Sequence, residues 1–112
     1  MDTVRQASIY IGLNDGDTGV QKYDTEKYIS ILKNVCRNYH VGFSMNRIQG
    51  GYFHDDGRYV EENTLVLMLL DVPDETVREI AKDLCAFFNQ ESVMVTFSSA
   101  EVNFIRESID QD

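Results

Sequence analysis

Little in this sequence favours a polyanionic partner, a membrane or a disulfide scaffold. It has two cysteines, one proline and no tryptophan, and its ten Lys and Arg stand against nineteen Asp and Glu. Cys36 and Cys85 complete no metal-binding set and suit a reducing compartment. The acidic excess, a net charge of −9, repels phosphate backbones at long range, and the scattered basic residues offer no cluster for counterion release. Direct nucleic-acid binding is therefore not expected. No apolar run approaches the roughly 20 residues that a membrane-spanning helix needs. The opening MDTVRQASIY lacks the basic and then apolar pattern of an export signal. A cytoplasmic protein away from the membrane is the expectation.

What is present is an ordinary globular composition, 43% apolar and 26% charged, too hydrophobic for a disordered acidic chain. All 112 residues read as one domain, with a polar tail from about residue 106. Residues Ala7 to Leu13 alternate, Ile9, Ile11 and Leu13 against Ser8, Tyr10 and Gly12, which is the period of a strand. Turn formers fill the next stretch, Asn14 to Gly19. From Thr25 to Tyr39, apolar residues at Tyr28, Ile31, Leu32, Val35, Cys36 and Tyr39 make one helical stripe, with Asp24 or Thr25 as its cap.

Val41 to Phe53 reads as a strand with a bend or bulge at Gly50 and Gly51. Asp56-Gly57 marks a hairpin turn. The strand that follows, Thr64 to Leu70 (TLVLMLL), is apolar at nearly every position, as a strand is when both its faces are buried. Pro73 ends it, and Asp74 is placed to cap a second helix with a stripe at Val77, Ile80, Ala81, Leu84, Cys85 and Phe88. Asn89 is its stop signal. Ser92 to Phe97 is a last strand, with Ala100 to Ile105 as its continuation or a further short strand.

The order βαββαβ is the split βαβ arrangement of an α+β, ferredoxin-like domain: an antiparallel sheet with two helices on one face. Two helices cover one face only, so the doubly apolar strand needs a second cover. Another subunit is the expected cover, in a dimer or trimer, with Tyr10, Met94 and one set from Leu65 to Leu69 lining the contact. The alternative is that the chain's own end folds across that face.

Candidate ligand-binding residues cluster around the hairpin. Tyr52 can stack a planar group, Arg47 or Arg58 can hold an anion, and Glu62 can fix a donor or an opposing arginine. A cross-strand salt bridge and an aromatic pair would use the same residues without a ligand. Tyr10 joins them from the first strand, and His54 from the turn, where a solvated histidine is the simpler reading. Asp15-Gly16-Asp17 with Glu26 imitates a calcium loop, but Val20 stands where its glycine belongs, so no metal site is expected. No catalytic triad, dinucleotide fingerprint or phosphate loop can be assembled, and no cofactor is expected.

Four blocks carry a resemblance: IYIGL at Ile9 to Leu13, Gly50, Tyr52, Gly57 and Glu62 within GGYFHDDGRYVEE, the apolar strand after it, and FNQESVMV at Phe88 to Val95 followed by EVNF. The chain resembles a family of small bacterial proteins known only as a domain of unknown function. There an aromatic residue precedes an Asp-Gly turn and a glutamate follows it, and Tyr52 and Glu62 match those positions. The order of elements is also similar to PII-like and CutA-like proteins. That likeness implies a trimeric ferredoxin-like build and, from the PII-like members, nucleotide or small-anion binding in clefts between subunits. The long ligand-gripping loop of PII proteins has no counterpart here.

The leading expectation is a non-enzymatic oligomer, a sensor or sequestering protein, that binds a nucleotide-like or other anionic small molecule at subunit interfaces. Two alternatives stand beside it. One is an acidic inhibitor or decoy, phage-encoded in one version, that docks on a nucleic-acid-handling enzyme. The other is a small acid–base enzyme acting through His54 and Glu62.

Overall fold

The computed structural model describes residues 2–107. Its elements are β1 (Asp2–Gly12), α1 (Thr25–Asn38), β2 (Ser44–Phe53), β3 (Tyr59–Leu70), α2 (Asp74–Phe87) and β4 (Met94–Val102). They form one antiparallel sheet in the order β2-β3-β1-β4, so the first and third strands are central. This is the α+β, ferredoxin-like architecture.

Strand alternation decides which residues the helices cover. Ile9 and Ile11 of β1, Leu13 just past it, and Leu65, Leu67 and Leu69 of β3 pack on the helical side and are 0–1% exposed. They meet Tyr28, Ile29, Leu32, Val35 and Cys36 of α1 and Val77, Ile80, Ala81 and Leu84 of α2 in one core. Burial of each large aliphatic side chain contributes about 1.5–3 kcal/mol. Asp24 caps α1 by accepting from Lys27 N–H at 3.1 Å. At α2 the cap position belongs to Pro73, which makes no side-chain cap bond, so Asp74 is a first-turn residue. Its carboxylate meets Arg5 of β1 through two bonds, of 3.2 and 3.0 Å. Tyr39 O–H donates to Asp83 at 2.7 Å, tying the end of α1 to α2.

Two further local expectations change. Ladder pairing of β2 with β3 runs unbroken from Ser44↔Met68 to Phe53↔Tyr59, so Gly50 and Gly51 form no bulge. Gly51 instead makes room for a neighbour: a Cβ there would collide with the Tyr59 hydroxyl. At the chain's other end, β4 is a single strand through Ser98 and Ser99 and stops at Val102. The tail lies outside the described residues from 108 onward. Asn89, just past α2, does adopt the left-handed conformation of a stop residue, with φ 51°.

On the face away from the helices lie Tyr10 of β1, Val66 and Met68 of β3, Ile48 of β2 and Met94 of β4. Val66 is buried there, Tyr10 and Met68 are half-buried, and Met94 is 58% exposed. Among the described residues no part of the chain's end folds across this face. Phe104 and Ile105 are 86% and 87% exposed.

Candidate functional site: a cleft at the end of the open sheet face

The β2–β3 hairpin extends beyond β1, whose pairing with β3 stops at Gly12↔Thr64. The overhang and the loop after β1 enclose a cleft of about 860 Å³. Tyr10, Ile48, Val60 and Met94 supply apolar wall, and Tyr52, His54, Arg58 and Glu62 bring polar groups from the hairpin. The loop residues Asn14 to Gly19 form the rim with Gln90, Glu91 and Ser92.

Glu62 organises the floor. Opposite it on β2 is Gly50, and its carboxylate lies over Gly12, where any Cβ would collide with it. One oxygen, Oε2, accepts the Asn14 N–H at 2.8 Å, which anchors the start of the rim loop. The missing side chain at Gly12 thus lets a half-buried carboxylate lie flat against the sheet. Tyr52 pairs across the ladder with Val60 and its ring meets that of His54 at 5.4 Å between centroids. Burial pushes its phenol pKa up, and the nearby charges of Glu62 and Glu91 add to this against the opposing Arg58. The hydroxyl is therefore held protonated.

Arg58 and His54 close the hairpin. His54 N–H donates to the Arg58 carbonyl at 2.8 Å, and Gly57 N–H to the His54 carbonyl at 2.8 Å. Gly57 takes φ 89° to complete this three-residue loop. The Arg58 guanidinium lies 3.7 Å from Asp56. Arg58 N–H also bonds the Asp56 carboxylate, which holds its pKa below the usual carboxylate range, and the guanidinium charge adds to this.

The structure brings five of the six sequence candidates to this cleft: Tyr10, Tyr52, His54, Arg58 and Glu62. Arg47 is placed elsewhere. It lies opposite Leu65, on the helical side of β2, and pairs with Glu26 of α1 at 2.9 Å. In an unbroken strand, residues five apart face opposite ways, so Arg47 and Tyr52 cannot share a site.

The rim entered the sequence reading only as a rejected calcium loop, and its partner Asn89 only as a helix stop. Asp15 is 4% exposed, and its carboxylate accepts from Asp17 N–H at 2.9 Å, from Thr18 N–H at 3.3 Å and from the Asn89 amide at 3.1 Å to each oxygen. The Asn89 amide, before the backbone bonds, holds the Asp15 pKa below its ordinary value. Gly16 N–H donates to the Asn89 carbonyl at 2.7 Å, and the Gln90 amide to the Asn14 carbonyl at 2.6 Å. The available signal was the Asn-Gln pair at the end of α2, next to a loop rich in orphan backbone groups.

Carboxylates dominate the cleft. Asp15, Asp17, Glu62 and Glu91 line it against the single guanidinium of Arg58, with Lys22 reaching Asp15 at 3.9 Å. Such a cleft attracts cations and repels phosphate. Among the described residues no group of three or more His, Cys, Asp or Glu side chains is arranged to hold a metal ion, and no helix is long and apolar enough to cross a membrane. Cys36 is buried in the core, and burial pushes its thiol pKa up to about 11, which keeps it unreactive.

These features define a ferredoxin-like protein of PII-like and CutA-like build with a ligand-sized cleft at one end of its open face. Residues 6–104 match the family described as protein of unknown function (DUF3574), and the chain belongs to that family. No curated protein gives a significant match. Among solved structures, a phage SAM lyase in complex with S-methyl-5'-thioadenosine is similar at a TM-score of 0.68 and 25% identity, covering 85% of this chain and 80% of that one. GlnK of B. subtilis in complex with ATP is similar at 0.59 and 12% identity, over 88% of this chain and 82% of that one. CutA of Synechococcus elongatus gives 0.58 and 11%, over 89% and 81% of the two chains. The last two likenesses concern the fold alone.

Proposed function

We propose that this protein binds an adenine nucleoside bearing a sulfur substituent at its 5' carbon, in the cleft around Tyr52 and Glu62. The Glu62 carboxylate, laid over Gly12 in a cleft that combines an apolar patch at Tyr10, Val60 and Met94 with a carboxylate-rich rim, carries this reading. Tyr52 offers a ring for the base to stack on. Tyr10, Val60 and Met94 give the soft apolar surface that a methylthio group needs. The surplus of carboxylates favours a sulfonium or neutral nucleoside over a phosphorylated one, which moves the expectation away from an anionic ligand. Likeness to the lyase that holds S-methyl-5'-thioadenosine supports the same ligand class.

The binding unit is an assembly of two or three copies. Tyr10, Val66, Met68 and Met94 lie on a sheet face that no described residue of the same chain covers, and the cleft opens at its end. An acidic decoy is less well supported, because the carboxylates are spread over both sides: Glu26 and Asp74 engage arginines on the helical side, whereas Asp17 and Glu62 line the cleft.

A second reading makes the protein a lyase for S-adenosylmethionine. Among the described residues only one carboxylate oxygen of Glu62 accepts a hydrogen bond, and a carboxylate beside a protonated tyrosine can act on a sulfonium substrate. The two readings separate in one experiment. Thermal shift with S-methyl-5'-thioadenosine, S-adenosylmethionine and ATP should stabilise the protein with the first two and leave it unmoved by ATP. Mass spectrometry of the S-adenosylmethionine sample, against a protein-free control, then reports turnover: S-methyl-5'-thioadenosine released together with an equal amount of the four-carbon amino-acid fragment supports the lyase, and intact ligand supports a binding protein. A shift with ATP alone would contradict both.

A further inference from the structure

We infer that the rim loop reads the hydroxyl groups of the bound nucleoside, with Asp17 as their acceptor and Asn89 as the residue that positions it. This deepens the nucleoside-binding proposal and rests on it. Asp17 is exposed and lines the cleft, and a carboxylate can accept from two adjacent hydroxyls at once. On a free six-residue loop such a group would lose its geometry to chain entropy. Here it does not hang free.

Asn89 holds it from behind at three points. Its amide nitrogen lies 3.0 Å from Asp17 Oδ2 and 3.1 Å from both oxygens of the buried Asp15. Its carbonyl accepts from Gly16 N–H at 2.7 Å. Closeness at this last contact is enforced, since a Cβ on Gly16 would lie 2.8 Å from the Asn89 carbonyl oxygen. The left-handed backbone of Asn89, at φ 51°, aims both its amide and its carbonyl at the loop. A stop residue needs only the backbone conformation, which glycine supplies as well. The side-chain amide is surplus to that role, and all of its donor bonds go to carboxylates of the cleft rim.

Calorimetric titration of S-methyl-5'-thioadenosine and of its 2',3'-dideoxy analogue tests this, using wild type, Asp17→Ala and Asn89→Gly. Asp17 is an exposed loop residue, and glycine at 89 keeps the backbone conformation and the carbonyl acceptor while taking the amide from Asp15, so circular dichroism of each variant, expected native, accompanies the titration. Wild type should prefer the ribonucleoside by about tenfold or more, since the analogue lacks both hydroxyls and each charge-assisted hydrogen bond is worth about tenfold. Both variants should lose that preference while binding the dideoxy analogue as wild type does. Gly16→Ala, which pushes the loop off the Asn89 carbonyl, should behave likewise. Equal affinity of wild type for both ligands would overturn the inference and leave the nucleoside cleft standing. Equal weakening of both ligands in the variants would also overturn it, because that reports general damage. Failure of wild type to bind either ligand would overturn the cleft reading, and this one with it.

Discussion

The two faces of the sheet are made from alternate residues of the same strands, yet they have become different kinds of surface. On the helical side, Ile9, Ile11, Leu65, Leu67 and Leu69 are sealed under α1 and α2. On the other side, the intervening residues run from apolar at the centre, Tyr10, Val66 and Met68, to polar and glycine-rich at one end, Gly12, Gly50, Tyr52 and Glu62. One face spends its burial on stability. The other keeps an apolar surface and a carboxylate-lined cleft open, and that is where binding chemistry can be placed without weakening the core.

If this division holds, substitutions on the two faces fail in different ways. Leu67→Ala, on the helical side, should cost about 2–5 kcal/mol in denaturant unfolding. Glu62→Gln, on the open side, should change stability little, because the amide oxygen still accepts from Asn14 N–H. Nucleoside binding should fall strongly, and any turnover by about a hundredfold or more. A Glu62→Gln protein that binds normally would break the comparison. Met68→Glu, also on the open face, should dissociate the proposed assembly in sedimentation velocity while circular dichroism stays native, since a charge would then sit in the proposed subunit contact. Retained assembly would place the contact elsewhere.

Smaller effects concern the groups that frame the cleft. Asp15 has a depressed folded pKa, so its contribution is fully present above the unfolded value of about 3.9 and is lost as pH falls through the lower folded value. Acid unfolding followed by fluorescence should therefore steepen below about pH 4, and Asp15→Asn should flatten that slope. Tyr39 is the control on the helical side. Its bond to Asp83, with burial adding to it, raises its pKa to about 12. That contribution is present below about pH 10 and is lost as pH rises through the folded value. Tyr39→Phe should reduce the alkaline dependence, leaving the share of Tyr52 and Tyr59, without touching nucleoside binding.

Much of this contrast was legible in the residues. The alternation of Ile9, Ile11 and Leu13, the two helical stripes and the Asp56-Gly57 turn gave the architecture, because each is a local pattern tied to a backbone period. The unbroken apolar run at Leu65 to Leu70 pointed to an unfilled face for the same reason. The cleft was half legible. Tyr52, His54, Arg58 and Glu62 belong to one hairpin, so proximity followed from the turn. Arg47 was grouped with them because it lies on the same hairpin arm as Tyr52, but with pairing unbroken through Gly50 and Gly51 its odd spacing from Tyr52 puts it on the other face. Gly12 beneath Glu62, and Asp15 and Asp17 beside Asn89, were hidden because they meet only when the sheet forms and the end of α2 arrives, 72 to 74 residues away in sequence for the latter pair.

The open face as the working face is tested most directly by amide chemical-shift mapping on titration with S-methyl-5'-thioadenosine. The account predicts saturable changes at Tyr10, Gly12, Asn14, Tyr52 and Glu62, with α1 and α2 unmoved. Changes centred on the helices, or none at any ligand concentration, would contradict it.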